Sequence, residues 1–464
     1  MRINSYISGK YSTKSNQAIS KKNPFTSEEL HQFYSADLLE AVTAIQQSQK
    51  FFLEYKQSTI SDRLQILKRI KAYIVQHQIR FAKLEAQDQG LPLSFVLQTS
   101  IRAILDSLDH VMAELSSSVK DDHQKYSAVG VISLICSWNL SFRIISERLF
   151  PAIAAGNTVV IKVSSMSPIT AVILAEMIEM CPLPSGLVQV IVSVDPEVKK
   201  ILVTHPGVKA ISFVGQLAQA HEVLKLVASV GAQQFKKLQI AAGTKNTAAA
   251  LGEPDTLNFQ NIMDSFLIGQ GQLAWNSSRL FVIEKNELGW LEKIKDYLAK
   301  LKPSEAIEDH SPWTPVLKPE SFKTFDEISA LAVSDQARLL RSNFTLNEDQ
   351  KKNFLPITFT QDMSNCSTLQ QDQVMAPLFI LSTVKYAFDI QKYSNVSYFG
   401  FAAHLWGDDE KLAKIADSLE VGVICKNKWS AQIFGPVKSV KQSGFGLQDY
   451  RVFGDFFSNI KIVT

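Results

Sequence analysis

From residue 130 onward, short β-branched runs alternate with amphipathic stretches. Residues 131–135, 158–161, 187–192, 208–214 and 237–240 read as strands, and 170–180, 197–203 and 219–229 between them read as helices. Strand, helix, strand repeated this often predicts a parallel sheet covered on both faces, with ligands at the carboxyl ends of its strands. The first third is predicted helical after a strand-like start. Asp37 can cap a segment carrying Leu38, Val42 and Ile45, and Ser61-Asp62 opens a stripe of Leu64, Leu67, Ile70 and Ile74. Gly90-Leu91-Pro92 should end that stripe, and a third helix is expected over 101–115. The polar stretch 116–126 reads as a loop or exposed hairpin. Beyond Gly243 a second set of helices and strands predicts a second α/β domain, and the glycine- and aromatic-rich end carries strand-like Phe456, Ile460 and Ile462.

Composition narrows the class. The chain has 464 residues, 48 basic against 45 acidic, for a net charge of +3, and 46% of its residues are hydrophobic. That is ordinary globular usage, long enough for more than one core, with no electrostatic reason to bind nucleic acid or an anionic membrane. Four cysteines, Cys136, Cys181, Cys366 and Cys425, are too few for a disulfide framework and too widely spaced for a zinc knuckle. The polar start, Met1-Arg2-Ile3-Asn4-Ser5, lacks the apolar core of a signal peptide, and no apolar run approaches the roughly 20 residues of a spanning helix. A cytoplasmic protein is expected.

On chemistry alone the motifs are sparse. Gly269-Gln270-Gly271-Gln272-Leu273-Ala274 mimics a dinucleotide fingerprint but follows no strand, so it reads as a chance match. His221-Glu222 lacks the second histidine of a zinc-protease helix, and Asp121-Asp122-His123 reads as a charged surface turn. Phe213-Val214-Gly215-Gln216 ends a strand just before a helix, where backbone N–H groups can hold a phosphate.

Taken in order, several segments resemble the aldehyde dehydrogenase superfamily. Ser137-Trp138-Asn139-Leu140 resembles its PWNF segment, and Pro151 through Lys162 (PAIAAGNTVVIK) its PALAAGNTVVxK stretch. Leu183-Pro184-Ser185-Gly186 resembles the LPPG turn, Phe213–Gln216 the FTGS turn, and Lys236 through Asn246 (KKLQIAAGTKN) aligns without a gap on KKVTLELGGKN. Gly271-Gln272-Leu273-Ala274 through Arg279, Met375-Ala376-Pro377, and Lys441 through Gly446 (KQSGFG) resemble its GQxC…R, FGP and KQSGFG segments. The resemblance implies a Rossmann-like parallel-sheet cofactor domain (1–115 and 131–241), an α/β catalytic-type domain (242–440), and a small β oligomerisation element (116–130 with 441–464). It also implies NAD or NADP as cofactor and a homo-oligomer, dimer or tetramer.

The family's reaction needs a cysteine thiolate, a glutamate to activate water, and an asparagine to hold the developing oxyanion. The resemblance assigns the oxyanion role to Asn139, whereas Ala274 stands at the cysteine position, beside Trp275, and Ala241 at the glutamate position, with Gln239 the nearest polar neighbour. Cofactor contacts are depleted too. Trp138, Lys162 and Gly215 remain, but Ser165 replaces a ribose-holding glutamate that would repel a 2′-phosphate, and Gln216 replaces the FTGS serine. Ser193 and Ala220 stand where glycines are expected, Gln373 at the glutamate for the nicotinamide ribose, and Met375 at the phenylalanine that follows.

Two readings follow. The favoured one is a catalytically inactive homologue with a binding, regulatory or partner role. The alternative is an NAD(P)-dependent oxidoreductase acting on aldehydes by a non-standard site. That would need a substitute nucleophile. Cys136 precedes Trp138-Asn139, and Cys425 lies two residues from Asn427, on the same face if both sit on one strand. Ser277 and Ser278 have no base nearby in sequence and read as polar loop residues.

Overall fold

The computed structural model describes residues 2–13, 18–117, 124–230, 235–317, 320–364, 367–429, 437–446 and 451–462. Among them, eight strands form a first sheet in the order Gly444–Phe445, Lys237–Ala242, Val208–Gly215, Val131–Ile135, Thr158–Val163, Val188–Val192, Tyr6–Ile7, Lys10–Tyr11. The five central strands are parallel; the outer ones are antiparallel. From Val131–Ile135 the chain first builds outward through Thr158–Val163 and Val188–Val192, then returns to the other side with Val208–Gly215. The reversal puts the ligand crevice of a doubly wound sheet between Val131–Ile135 and Val208–Gly215.

A second sheet of seven described strands runs Arg338–Arg341, Thr358–Gln361, Leu378–Val384, Ser277–Ile283, Asn246–Ala250, Ala402–Trp406, Val423–Lys426, parallel except for the first. Val131–Ile135, Val188–Val192 and Asn246–Ala250 are buried at every position, as strands covered on both faces must be. The α/β class expected from the sequence is the class observed.

The first helices form where their signals lie. Asp37 makes a capping box with Glu40 at the head of Leu38–Tyr55. Thr59 does the same with Asp62 for Ile60–Gln89, so the helix starts just ahead of Ser61, and it ends at Gly90 in the left-handed conformation (φ 64°). The third helical stretch begins earlier than expected: Leu93–Val96 runs through a π turn, Leu97–Ile101, into Arg102–Ser117. Ser141–Ala154 is a helix that no periodicity announces, because every residue but Glu147 is buried and there is no polar face to read.

Gln124–Ala128 pairs antiparallel with Ser458–Ile462, joining the end of the chain to the segment expected to be a hairpin. The residues from 441 onward do not all belong to that pair. Val440–Lys441 pairs with Phe399–Gly400, and Gly444–Phe445 joins the first sheet against Ile240 and Ala241. No described helix is long and apolar enough to cross a membrane.

At Gly243, which ends Lys237–Ala242, φ is 66° and an added Cβ would run into the Phe399 ring. Gly243→Ala therefore combines backbone strain with a clash. It is expected to cost about 1–3 kcal/mol in denaturant unfolding.

Candidate functional site

A cavity of about 310 Å³ opens at the carboxyl ends of four adjacent strands of the first sheet. Val131–Ile135 delivers Cys136 to Asn139, Thr158–Val163 delivers Lys162 and Ser165, Val208–Gly215 delivers Gly215 and Gln216, and Lys237–Ala242 delivers Ala241 and Gly243. The opposite wall is Gln272, Ala274, Trp275, Gln373 and Met375. Ten of the residues singled out by the sequence, Trp138, Asn139, Lys162, Ser165, Gly215, Gln216, Ala241, Ala274, Gln373 and Met375, line this one cavity, whereas Ser193 and Ala220 do not.

Asn139 is held rigidly. Its Oδ1 accepts from Ser137 Oγ (2.5 Å), and its Nδ2 donates to the Gln272 carbonyl (3.1 Å). Leu140 follows in the left-handed region (φ 56°), a conformation that costs free energy in a non-glycine residue. Two side chains from the last turns of Ile60–Gln89 stabilise it. Gln89 Oε1 accepts from Leu140 N–H (2.8 Å) and Glu85 Oε1 from Phe142 N–H (3.0 Å), so they satisfy the first amides of Ser141–Ala154. Glu85 also accepts from Ser100 Oγ (2.6 Å).

Burial pushes the Glu85 carboxyl up to about 7 from its ordinary 4.5, against the hydrogen bonds that favour its charged form. Asp88, one turn on and near Lys21, is pushed up to about 6, also by burial. A raised carboxyl pKa means that the folded state holds protons the unfolded state has released. The contribution of Glu85 to stability therefore falls as pH rises from about 4.5 to about 7 and levels off above. Glu85→Gln keeps an acceptor for Phe142 N–H and is expected to flatten much of this slope in denaturant midpoints measured across that range; an unchanged slope would contradict the assignment.

Gln216, between Val208–Gly215 and the helix Leu217–Val230, directs its Nε2 to Met375 Sδ (3.4 Å) on the opposite wall. Lys162 is half-buried, its side-chain amine has no hydrogen-bond partner among the described residues, and it lines the cavity with Lys199. Burial, then the Lys199 ammonium, lowers its pKa to about 8. Lys199 itself is paired with Glu222.

At the Ala274 end, the Arg143 guanidinium lies 5.0 Å from the Trp275 ring centroid, pairs with Glu147 (2.7 Å) and donates to the Thr99 carbonyl (3.1 Å). Arg148 donates to Ser212 Oγ (3.1 Å), which donates to Gln239 Oε1 (2.9 Å). These charged groups on the cavity wall escaped the sequence reading. Their one signal is the Arg143/Glu147 spacing of four inside an otherwise apolar helix.

The sequence model of the aldehyde dehydrogenase family matches residues 11–463. The chain belongs to the aldehyde dehydrogenase family. It is 25% identical over 483 residues to a 2-aminomuconic semialdehyde dehydrogenase from Danio rerio, covering 100% of this chain and 98% of that protein. The corresponding mouse (Mus musculus) protein is 24% identical over 485 residues, with the same coverage. Among solved structures, the aldehyde dehydrogenase of Bacillus cereus in complex with NAD+ superposes with a TM-score of 0.89 at 19% identity, covering 100% of this chain and 96% of that one. Betaine aldehyde dehydrogenase from Staphylococcus aureus superposes at 0.88 and 20% identity, covering 99% and 94%.

Within this aldehyde dehydrogenase fold the cysteines take different places. Cys136 is buried on the cavity wall, and burial pushes its thiol up to about 11 despite the nearby Arg148. Cys425 lies in Val423–Lys426 and does not line the cavity. Its expected alignment with Asn427 fails: Asn427 lies past the strand in the left-handed region (φ 54°), where its side chain binds Gly407 N–H.

Ser277 and Ser278 are strand residues rather than loop residues. Ser277 Oγ lies 3.0 Å from His404 Nδ1 and accepts from Ser265 Oγ (2.9 Å), a base partner 127 positions away that sequence proximity cannot reveal. That pair is fully buried, outside the cavity, and burial lowers His404 to about 3. Residues 269–276 follow the helix Phe259–Leu267, as a chance glycine match would. His221 is exposed on Leu217–Val230. Asp121-Asp122-His123 lies outside the described residues, and no group of three or more candidate metal ligands occurs among the described ones.

Proposed function

We propose that this chain is a catalytically inactive aldehyde dehydrogenase homologue, a homo-oligomeric cytoplasmic protein with a binding, regulatory or partner role. The observation that carries the reading is that Ala274 and Ala241 contribute only methyl groups to the cavity that Asn139 lines. A methyl group has no lone pair to attack a carbonyl or to take a proton from water. The thiol in the same cavity, Cys136, is held protonated at neutral pH by its burial, so it does not replace the missing nucleophile.

NAD and NADP are the cofactors the family implies, and the residues present fit only part of a dinucleotide. Lys162 and the Ser165 hydroxyl suit a ribose, and the absence of a carboxylate at 165 tolerates a 2′-phosphate. The Gln216 side chain, directed onto Met375, crowds the turn that would receive the pyrophosphate, and Gln373 offers no carboxylate to a second ribose. No hydride-transfer step is therefore assigned to this cavity.

Steady-state assays with an aldehyde panel and either nucleotide are expected to show no NAD(P)H formation above buffer. Turnover that Cys136→Ala abolishes would instead favour the oxidoreductase reading. Millimolar NAD or NADP is expected to give little thermal stabilisation, whereas ligand at 100 times its dissociation constant would add about 2.7 kcal/mol.

A further inference from the structure

We propose that Lys162 is a carbonyl-capturing amine, condensing reversibly with small aldehydes or ketones that enter the cavity. Three geometric observations support it. Lys162, the penultimate residue of Thr158–Val163, lies at the cavity wall, and its amine has no hydrogen-bond partner among the described residues. Lys199, itself paired with Glu222, lines the same cavity and brings a second ammonium group to it. Ser164 and Ser165, next along the chain, bring hydroxyl groups to that wall, and the lining carboxylate, Glu147, is already paired with Arg143.

A desolvated lysine next to another cation is the arrangement that makes an amine nucleophilic near neutral pH. With its pKa lowered to about 8, the fraction of free amine at neutral pH rises by about 10²-fold over an ordinary lysine.

The step is a condensation without redox change. The Lys162 Nζ lone pair forms a bond to the carbonyl carbon, and one proton passes from that nitrogen to the carbonyl oxygen to give a carbinolamine, whose hydroxyl takes a second proton from solvent. The C–O bond then breaks, oxygen leaves as water, and a protonated imine remains. Hydrolysis reverses it. The capture needs neither a thiol nor a nucleotide, so it is independent of the reading above and can fail separately from it.

The test uses the full-length protein, propionaldehyde and sodium cyanoborohydride near neutral pH, without nucleotide. The hydride donor reduces the imine to a stable propyl-lysine, which peptide mass mapping locates. Lys162 is expected to be propylated at least tenfold faster than exposed Lys68 and Lys411. Lys199→Gln is expected to slow labelling of Lys162 several-fold, because the neighbouring charge is gone. Labelling of Lys162 no faster than that of the exposed lysines would overturn the proposal, and so would an unchanged rate in Lys199→Gln. Lys162→Arg, checked for retained fold by circular dichroism, controls for the assignment of the modified peptide.

Discussion

Installing both missing groups, Ala274→Cys with Ala241→Glu, is expected to leave aldehyde oxidation at least about 10⁴-fold below the level of a working aldehyde dehydrogenase. Loss of a covalent nucleophile alone costs on the order of a millionfold, and groups that act as a unit are not restored one at a time. Here the surroundings have changed with them. Trp275, under the Arg143 guanidinium, fills the space next to residue 274, and Gln216 reaches Met375 on the opposite wall. Asn139 Nδ2 already spends one of its two N–H donors on the Gln272 carbonyl, which leaves one for an oxyanion. Ser165 and Gln373 remain without carboxylates. Steady-state NAD(P)H formation by the double variant checks this, and brisk turnover would show that two side chains alone separate this chain from activity.

Arg279→Ala is expected to destabilise the fold by about 3–5 kcal/mol, a large part of the roughly 5–15 kcal/mol that holds a typical domain together. The guanidinium is 1% exposed and donates to the carbonyls of Lys245 (2.9 Å), Gln370 (3.1 Å), Tyr393 (3.1 Å) and Ser394 (3.2 Å), and to Thr247 Oγ1 (3.0 Å). Three stretches far apart in sequence are tied to one strand residue. Burial lowers its pKa to about 9, the cost of holding a cation against carbonyl oxygens with no carboxylate among these partners. Truncation removes that cost but leaves four backbone carbonyls without this donor, while Thr247 Oγ1 keeps its bond with Ser394 Oγ. Arg279→Lys should rescue little, since an ammonium cannot reproduce the planar fork. Denaturant midpoints measure both; an alanine variant within about 0.5 kcal/mol of wild type would refute the account.

The parallel strands were legible because burial on both faces leaves unbroken β-branched runs, as in Val131–Ile135 and Val208–Gly215. The same burial hid Ser141–Ala154, whose all-round apolar surface erases the helical period and with it the placing of Arg143, Glu147 and Arg148 at the cavity. Alternation predicted that Cys425 and Asn427 share a face, and it failed because the strand ends at Lys426 and Asn427 turns left-handed. Ser277 and His404 meet only because Ser277–Ile283 and Ala402–Trp406 flank Asn246–Ala250 in the second sheet. The cavity residues were legible as motifs, whereas what those motifs hold in place, such as Glu85 and Gln89 beneath Leu140, needed coordinates.

The inactive assignment is tested most directly under single-turnover conditions, with protein in excess over aldehyde, saturating NAD or NADP, and the reduced nicotinamide followed by absorbance. The account predicts no hydride transfer, even once, on a timescale of minutes. Reduced nucleotide formed in proportion to the aldehyde supplied, and lost when Cys136 is replaced by alanine, would contradict it.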